Sequence, residues 1–162
     1  MPVIVPTITT NNIATFTQNL ATFRSFAKRI QIDVSDGTLA PTQLVPLANM
    51  QLPDGVDIDI HLMSARPSDH LGSILSLKPS LCILHAEVDD NLANIFSHLR
   101  QAGIRTGLAL LKPTFPRRAQ ELIAMVDHVM IFAGTLGQQG GQIDLLKKEK
   151  VPLIRELKSG LE

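Results

Sequence analysis

Apolar residues fall on every second position in two short stretches of this chain. Ile30, Ile32 and Val34 alternate with Gln31 and Asp33, and Ile58, Ile60 and Leu62 alternate with Asp59 and His61. Side chains of a β-strand point to opposite faces in turn, so each stretch predicts a strand with one apolar face. Gln31 and Asp33 then share the polar face of the first, and Asp59 and His61 that of the second. Short apolar runs predict strands near Val3–Thr7, Arg29–Val34, Asp57–Met63, Leu81–His85, Thr106–Leu110 and His128–Phe132. Helical spacing predicts helices between them, near Ile13–Ala27, Arg66–Leu75, Asn91–Ala102, Pro116–Met125 and Val151–Lys158. Asn12, Asp90 and Thr114 stand where the first, third and fourth helices need N-caps, and Gly103 where a left-handed residue closes the third. The stretch Thr38–Leu52, bounded by proline at 53 and broken by Pro41 and Pro46, leaves room for at most a short helix.

Strand and helix in strict alternation mean parallel strands joined by right-handed crossovers, an α/β fold. Two architectures satisfy that pattern, an open doubly wound sheet and a (β/α) barrel of the TIM type. Asp33, His61 and His85 all fall at the C-terminal ends of predicted strands, the face where barrels gather their chemistry. If the polar faces line the inside of such a barrel, these groups converge.

Composition narrows the function classes. A chain of 162 residues with 44% hydrophobic content suits one domain, residues 1–162, with a real core. Fifteen basic side chains balance fifteen acidic ones and no basic run occurs, which argues against a nucleic-acid footprint or a polybasic membrane patch. Cys82 has no second cysteine to pair with and sits among Leu81, Ile83 and Leu84, so a buried, inert thiol and a reducing, cytoplasmic setting are expected. The N-terminus lacks a basic segment followed by a long apolar one, and no run reaches the roughly 18 apolar residues of a membrane span. Without Trp or Tyr, the usual platforms for stacking a base are missing.

The order of motifs carries more. Gln31-Ile32-Asp33-Val34-Ser35-Asp36-Gly37 precedes Asp59-Ile60-His61-Leu62-Met63, with Val5-Pro6-Thr7-Ile8 before them and Leu84-His85-Ala86-Glu87 and Gly103 to Leu110 after them. Taken together these resemble the ribulose-phosphate 3-epimerase family, in which a strand-2 His-x-Asp-x-Met-Asp-Gly is followed by a strand-3 Asp-Val-His-Leu-Met. The resemblance implies a sugar-phosphate epimerase of pentose phosphate metabolism that abstracts a proton from a carbon next to a carbonyl. Its substrate would be a phosphorylated ketopentose. A divalent metal (Zn, Mn or Fe) would polarise the oxygens, because developing charge there must be stabilised before so weak an acid ionises. Asp33 matches the base and metal ligand of strand 2, and His61 matches the ligand of strand 3. Thr7, Met63 and His85 match the substrate pocket, and Gly140 and Gly141 match a phosphate-binding loop.

Departures from the pattern are as informative. Gln31 replaces a ligand histidine, and an amide oxygen is a weaker donor to such a metal than an imidazole nitrogen. Ser35 replaces a methionine, and the loop from Gly134 to Gln142 is longer and lacks the family's proline. Nothing matches strands 7 and 8, so the expectation is an incomplete, truncated or divergent barrel of about six βα units with impaired metal binding and turnover. Its open side would be covered by a longer product, by a second copy in a homo-oligomer, or by its own helices; Leu161-Glu162 also fits a vector remnant. The runner-up reading is a non-catalytic subunit that binds a sugar phosphate or completes a barrel. Outside these motifs, Glu87, Asp89 and Asp90 are expected in a solvated loop and helix cap. Asp36 and Gly37 are expected to shape a turn, Lys112, Arg117 and Arg118 to form a solvated face, and His98 and His128 to be surface or packing residues.

Overall fold

Residues 3–137 and 145–158 are described by a computed structural model. Six parallel strands lie in one sheet in the order β1-β2-β3-β4-β5-β6. They are β1 Thr7–Ile8, β2 Arg29–Ser35, β3 Asp57–Met63, β4 Leu81–His85, β5 Arg105–Leu110 and β6 His128–Ile131. A doubly wound sheet would reverse its order at a switch point. Here every strand lies beside its predecessor, so the sheet is that of a partial (β/α) barrel. The crossovers carry helices α1 Ile13–Phe23, α2 Leu71–Leu77, α3 Leu92–Gln101 and α4 Gln120–Met125, and α5 Lys150–Leu157 follows β6.

The alternation read from sequence sets which face is which. Ile30, Ile32, Val34, Ile58, Ile60, Leu62, Leu84 and Leu108 form one continuous core with Phe16, Leu20, Ile74, Phe96, Leu99, Ile123 and Ile154 of the helices. On the opposite face a second apolar cluster, Leu81, Ile83 and Ala109 with Met130 against it, fills part of the interior. Gly107 keeps that interior closed, since a Cβ there would stand 2.8 Å from Cγ1 of Ile83. Among the described residues no helix is long and apolar enough to cross a membrane.

Several boundaries depart from the sequence reading. The first strand does not begin at Val3, because Pro6 has no N–H to give the ladder. Pro6 contributes only its carbonyl, which accepts from Gln31 N at 2.9 Å, and Val3 and Ile4 remain exposed. α1 stops at Phe23, where the Ser25 hydroxyl bonds the Thr22 carbonyl and draws the chain out of the helix. The helices expected at Arg66 and Pro116 open instead with 3₁₀ turns, Pro67–His70 and Pro116–Ala119, each led by its proline. Asn12 caps α1 as expected, accepting from Thr15 N at 2.9 Å. Asn91 rather than Asp90 caps α3, accepting from Asn94 N, while Asp90 ties the preceding loop to Ser68 N. Phe115, not Thr114, holds the N-cap position before Pro116 and makes no side-chain cap bond. Gly103 does close α3, with φ of 78°.

Cys82 is fully buried and burial pushes its thiol up to about 12. Only the thiolate is an effective nucleophile. Ellman's reagent is therefore expected to leave the native protein unlabelled and to label it fully in denaturant. Rapid labelling of the native protein would show that β4 is not packed as described.

Candidate functional site

β2 and β3 pair in register over their whole length, and that register sets Asp33 directly beside His61. Both project from the inner face at the C-terminal ends of their strands, as the alternation requires. Asp33 Oδ1 lies 3.1 Å from His61 Nδ1, and it also accepts from Gln31 Nε2 at 2.9 Å. Its other oxygen, Oδ2, accepts from the Thr9 hydroxyl at 2.8 Å. Beyond His61 the chain of contacts continues: His61 Nε2 is 2.8 Å from His85 Nε2, and His85 Nδ1 is 3.5 Å from Glu87 Oε2. Both imidazoles are 1% exposed, and Phe132 packs against them with ring centroids 5.9 and 6.1 Å away.

Burial favours the neutral acid at Asp33, but the hydrogen bond and charge of His61, with bonds from Thr9 and Gln31, overcome it and hold the carboxyl below its ordinary range. Burial dominates at His85 and lowers its imidazole in spite of Glu87, so this ring is neutral at neutral pH. Glu87 is held low, with the cost of burial outweighed by His85, Thr114 and the Leu111 N–H. Glu87 is thus no solvated loop residue. It accepts from Leu111 N at 2.9 Å, and Lys150 fastens α5 to the same strand end by donating to the Leu111 carbonyl at 2.7 Å. Asp59 shares the inner face with His61 but sits deeper, with Oδ2 2.6 Å from Arg29 Nε.

The sequence-predicted residues divide clearly. Gln31, Asp33, His61 and His85 come together at one rim. Thr7 lies at the register of Gln31, and Thr9, two residues on, makes the bond to Asp33. Met63 is buried and packs with Ala40, Leu44 and Leu136. Gly140 and Gly141 lie outside the described residues. Sequence reading missed Thr9, Glu87 and Phe132, none of which carries a local signal of its own beside the strand ends.

The donor set answers whether a divalent cation fits the rim. His61 Nδ1 is turned to Asp33 Oδ1 and its Nε2 to His85 Nε2, so both ring nitrogens already face protein partners. Gln31 turns its N–H, not its oxygen, toward the carboxylate. The described residues include no cluster of three or more His, Cys, Asp or Glu able to hold a metal ion. The rim as arranged does not fit the cation.

Asp36 proves more than a turn residue. Its Oδ1 accepts from Thr38 N and Oγ1, and its Oδ2 accepts from Ser64 Oγ at 2.6 Å and His70 Nε2 at 3.0 Å, tying the loops after β2 and β3 together. Next to it, Gly37 takes the turn with φ of 86°. A cavity of about 290 Å³ opens beside this knot, lined by Asp36, Gln43, Leu47, His70 and Ser73 among others. Neither Asp33, His61 nor His85 lines it. Burial works against the Asp36 carboxylate, but bonds from Ser64, Thr38 and His70 prevail and hold its carboxyl well below the ordinary range. A carboxyl lowered by folding adds stability above its unfolded value of about 3.9 and loses it as pH falls below. Asp36→Asn should accordingly flatten the loss of stability below about pH 4, as read by urea unfolding across a pH series. Unchanged pH dependence would remove the knot's role.

The model of the ribulose-phosphate 3 epimerase family matches residues 3–160. Among curated proteins, the chain is 23% identical over 136 residues to a ribulose-phosphate 3-epimerase of Treponema pallidum (strain Nichols), covering 82% of this chain and 62% of that protein. It is 23% identical over 135 residues to a ribulose-phosphate 3-epimerase of Chlamydia muridarum (strain MoPn / Nigg), covering 82% and 59%. The chain thus spans about three fifths of the length of these curated relatives.

Proposed function

This chain belongs to the ribulose-phosphate 3-epimerase family, and from that premise we propose that its rim binds a phosphorylated ketopentose and removes the proton next to the carbonyl. In this reading residues 1–162 act as a single partial barrel domain, with Gly140 and Gly141 at the phosphate. The observation that carries it is the state of Asp33. Three donors hold it as an anion, yet a carboxylate has about four lone-pair sites, so one on Oδ2 remains. Its side chain is 15% exposed, so the carboxylate is not wholly sealed from solvent. Gln31 keeps a second N–H, the donor available to an oxygen on which charge develops.

A carboxylate held this low is a weak base, and epimerisation also needs a proton delivered from the opposite face. Among the described residues, two further carboxylates near strand ends are engaged elsewhere, Asp36 by Thr38, Ser64 and His70, and Glu87 by Leu111. Where no acid is positioned on that face, the cost is about a hundredfold to ten-thousandfold in rate. The protein is therefore expected to exchange the C3 hydrogen of ribulose phosphate with solvent faster than it forms the C3 epimer. Proton NMR in D₂O reads both. Equal rates at a level typical of an efficient enzyme would overturn the single-carboxylate reading. A second reading, binding without turnover, draws on Gln31 and the poor basicity of Asp33; ligand-induced shifts with no exchange would establish it. Self-association through the edges at β1 and β6 belongs to the same proposal, and light scattering from a clean monomer at micromolar concentration would remove it.

A further inference from the structure

The cavity beside the Asp36 knot is built from other elements than the rim and has a lining chemistry of its own. Val34, Leu44 and Leu47, all buried, give it an apolar wall. The loop after β2, the 3₁₀ turn Pro67–His70 and the first turn of α2 bring Gln43, His70 and Ser73 to the same space. Its 290 Å³ is roughly twice the volume of an apolar cavity that takes up benzene.

Charge and hydrogen-bonding capacity select the occupant. The four lone-pair sites of the Asp36 carboxylate are taken by Thr38 N, Thr38 Oγ1, Ser64 Oγ and His70 Nε2. Asp36 therefore contributes its negative charge to the cavity but no further direct bond. Among the described residues no Lys or Arg lines the cavity to offset that charge, and Arg66, which precedes the 3₁₀ turn, pairs with Asp69 instead. Three polar atoms on the lining remain unspent. They are Gln43 Oε1, whose amide nitrogen donates to the Asp36 carbonyl, His70 Nδ1, on the side of the ring away from Asp36, and Ser73 Oγ. Amide and hydroxyl oxygens accept hydrogen bonds, and so does the unprotonated nitrogen of a neutral imidazole. A set rich in acceptors beside an uncompensated anion suits a positively charged donor and repels a phosphate or a carboxylate.

We propose that this cavity is a second ligand site, which takes a small organic ammonium compound, its nitrogen toward Gln43, His70 and Ser73 and its apolar body against Val34, Leu44 and Leu47. The site does not depend on turnover at the rim, and its charge leaves a phosphorylated ketopentose to the rim.

Three probes of similar size separate charge from shape: phenethylamine, phenethyl alcohol and phenylacetate, each titrated into the isotope-labelled whole chain and followed by NMR. The amine is expected to give saturable shifts at Gln43, His70 and Ser73 and to bind about tenfold tighter than phenylacetate, with the alcohol between them. Ala48 lines the cavity and is exposed, so Ala48→Phe should fill the space and abolish those shifts. Ser73→Ala removes one acceptor and should weaken the amine about threefold. Phenylacetate or the alcohol binding as tightly as the amine would overturn the proposal, as would shifts that never saturate. Amine binding that persists in a folded Ala48→Phe variant would do the same. If that variant does not fold, Ser73→Ala decides, and an unchanged amine affinity there would also overturn it.

Discussion

Asp33→Asn is expected to cut solvent exchange at C3 of ribulose phosphate by about a hundredfold to ten-thousandfold, with the fold intact. The amide has nearly the same shape as the carboxylate and can still accept from Thr9 through its oxygen. What it lacks is the negative charge that takes the proton. It also loses the anion that faces His61 Nδ1 and Gln31 Nε2. The circular dichroism spectrum should be unchanged and the melting temperature lower, since the carboxylate that His61, Thr9 and Gln31 bond is gone. Exchange that persists at the parental rate would mean that another group removes the proton.

Phe96→Ala is expected to be the most damaging single truncation in the apolar core. Phe96 is fully buried on α3, among the helix residues that close over the sheet together with Ile95 and Leu99. Removing a ring from such a site costs about 3–5 kcal/mol, since transfer energy is lost and the surroundings do not fill the hole. For a chain of this size that corresponds to a melting midpoint lower by about 6–20 °C. A calorimetric shift of only a degree or two would show that α3 does not seal the core.

The alternation of Ile30, Ile32, Val34 and of Ile58, Ile60, Leu62 was enough to place two strands, their faces and the Asp33–His61 pairing. A strict period of two leaves one choice of face once an apolar side must be covered. The proline-led helix starts at residues 67 and 116 were legible as positions, though their 3₁₀ character was not, because that depends on how the turn meets the sheet. β1 misled the pattern: Val3 and Ile4 are apolar, yet the missing N–H of Pro6 keeps them off the ladder. At the site, strand ends pointed to Asp33, His61 and His85 as neighbours. The direct His61–His85 contact, the Phe132 cover and the partnership of Glu87 arise from curvature across β3 to β6, which no local spacing encodes. Thr9 was obscured because the motif drew attention to Thr7, one interior position lower.

Two surfaces compete for the ligand, the rim of Asp33, His61 and His85 and the cavity beside Asp36 and His70. A chemical-shift titration of the labelled protein with ribulose phosphate separates them most directly. Saturable shifts at Thr9, Asp33, His61 and His85 are the result expected here. Shifts confined to Gln43, His70 and Ser73, with the rim silent, would contradict it.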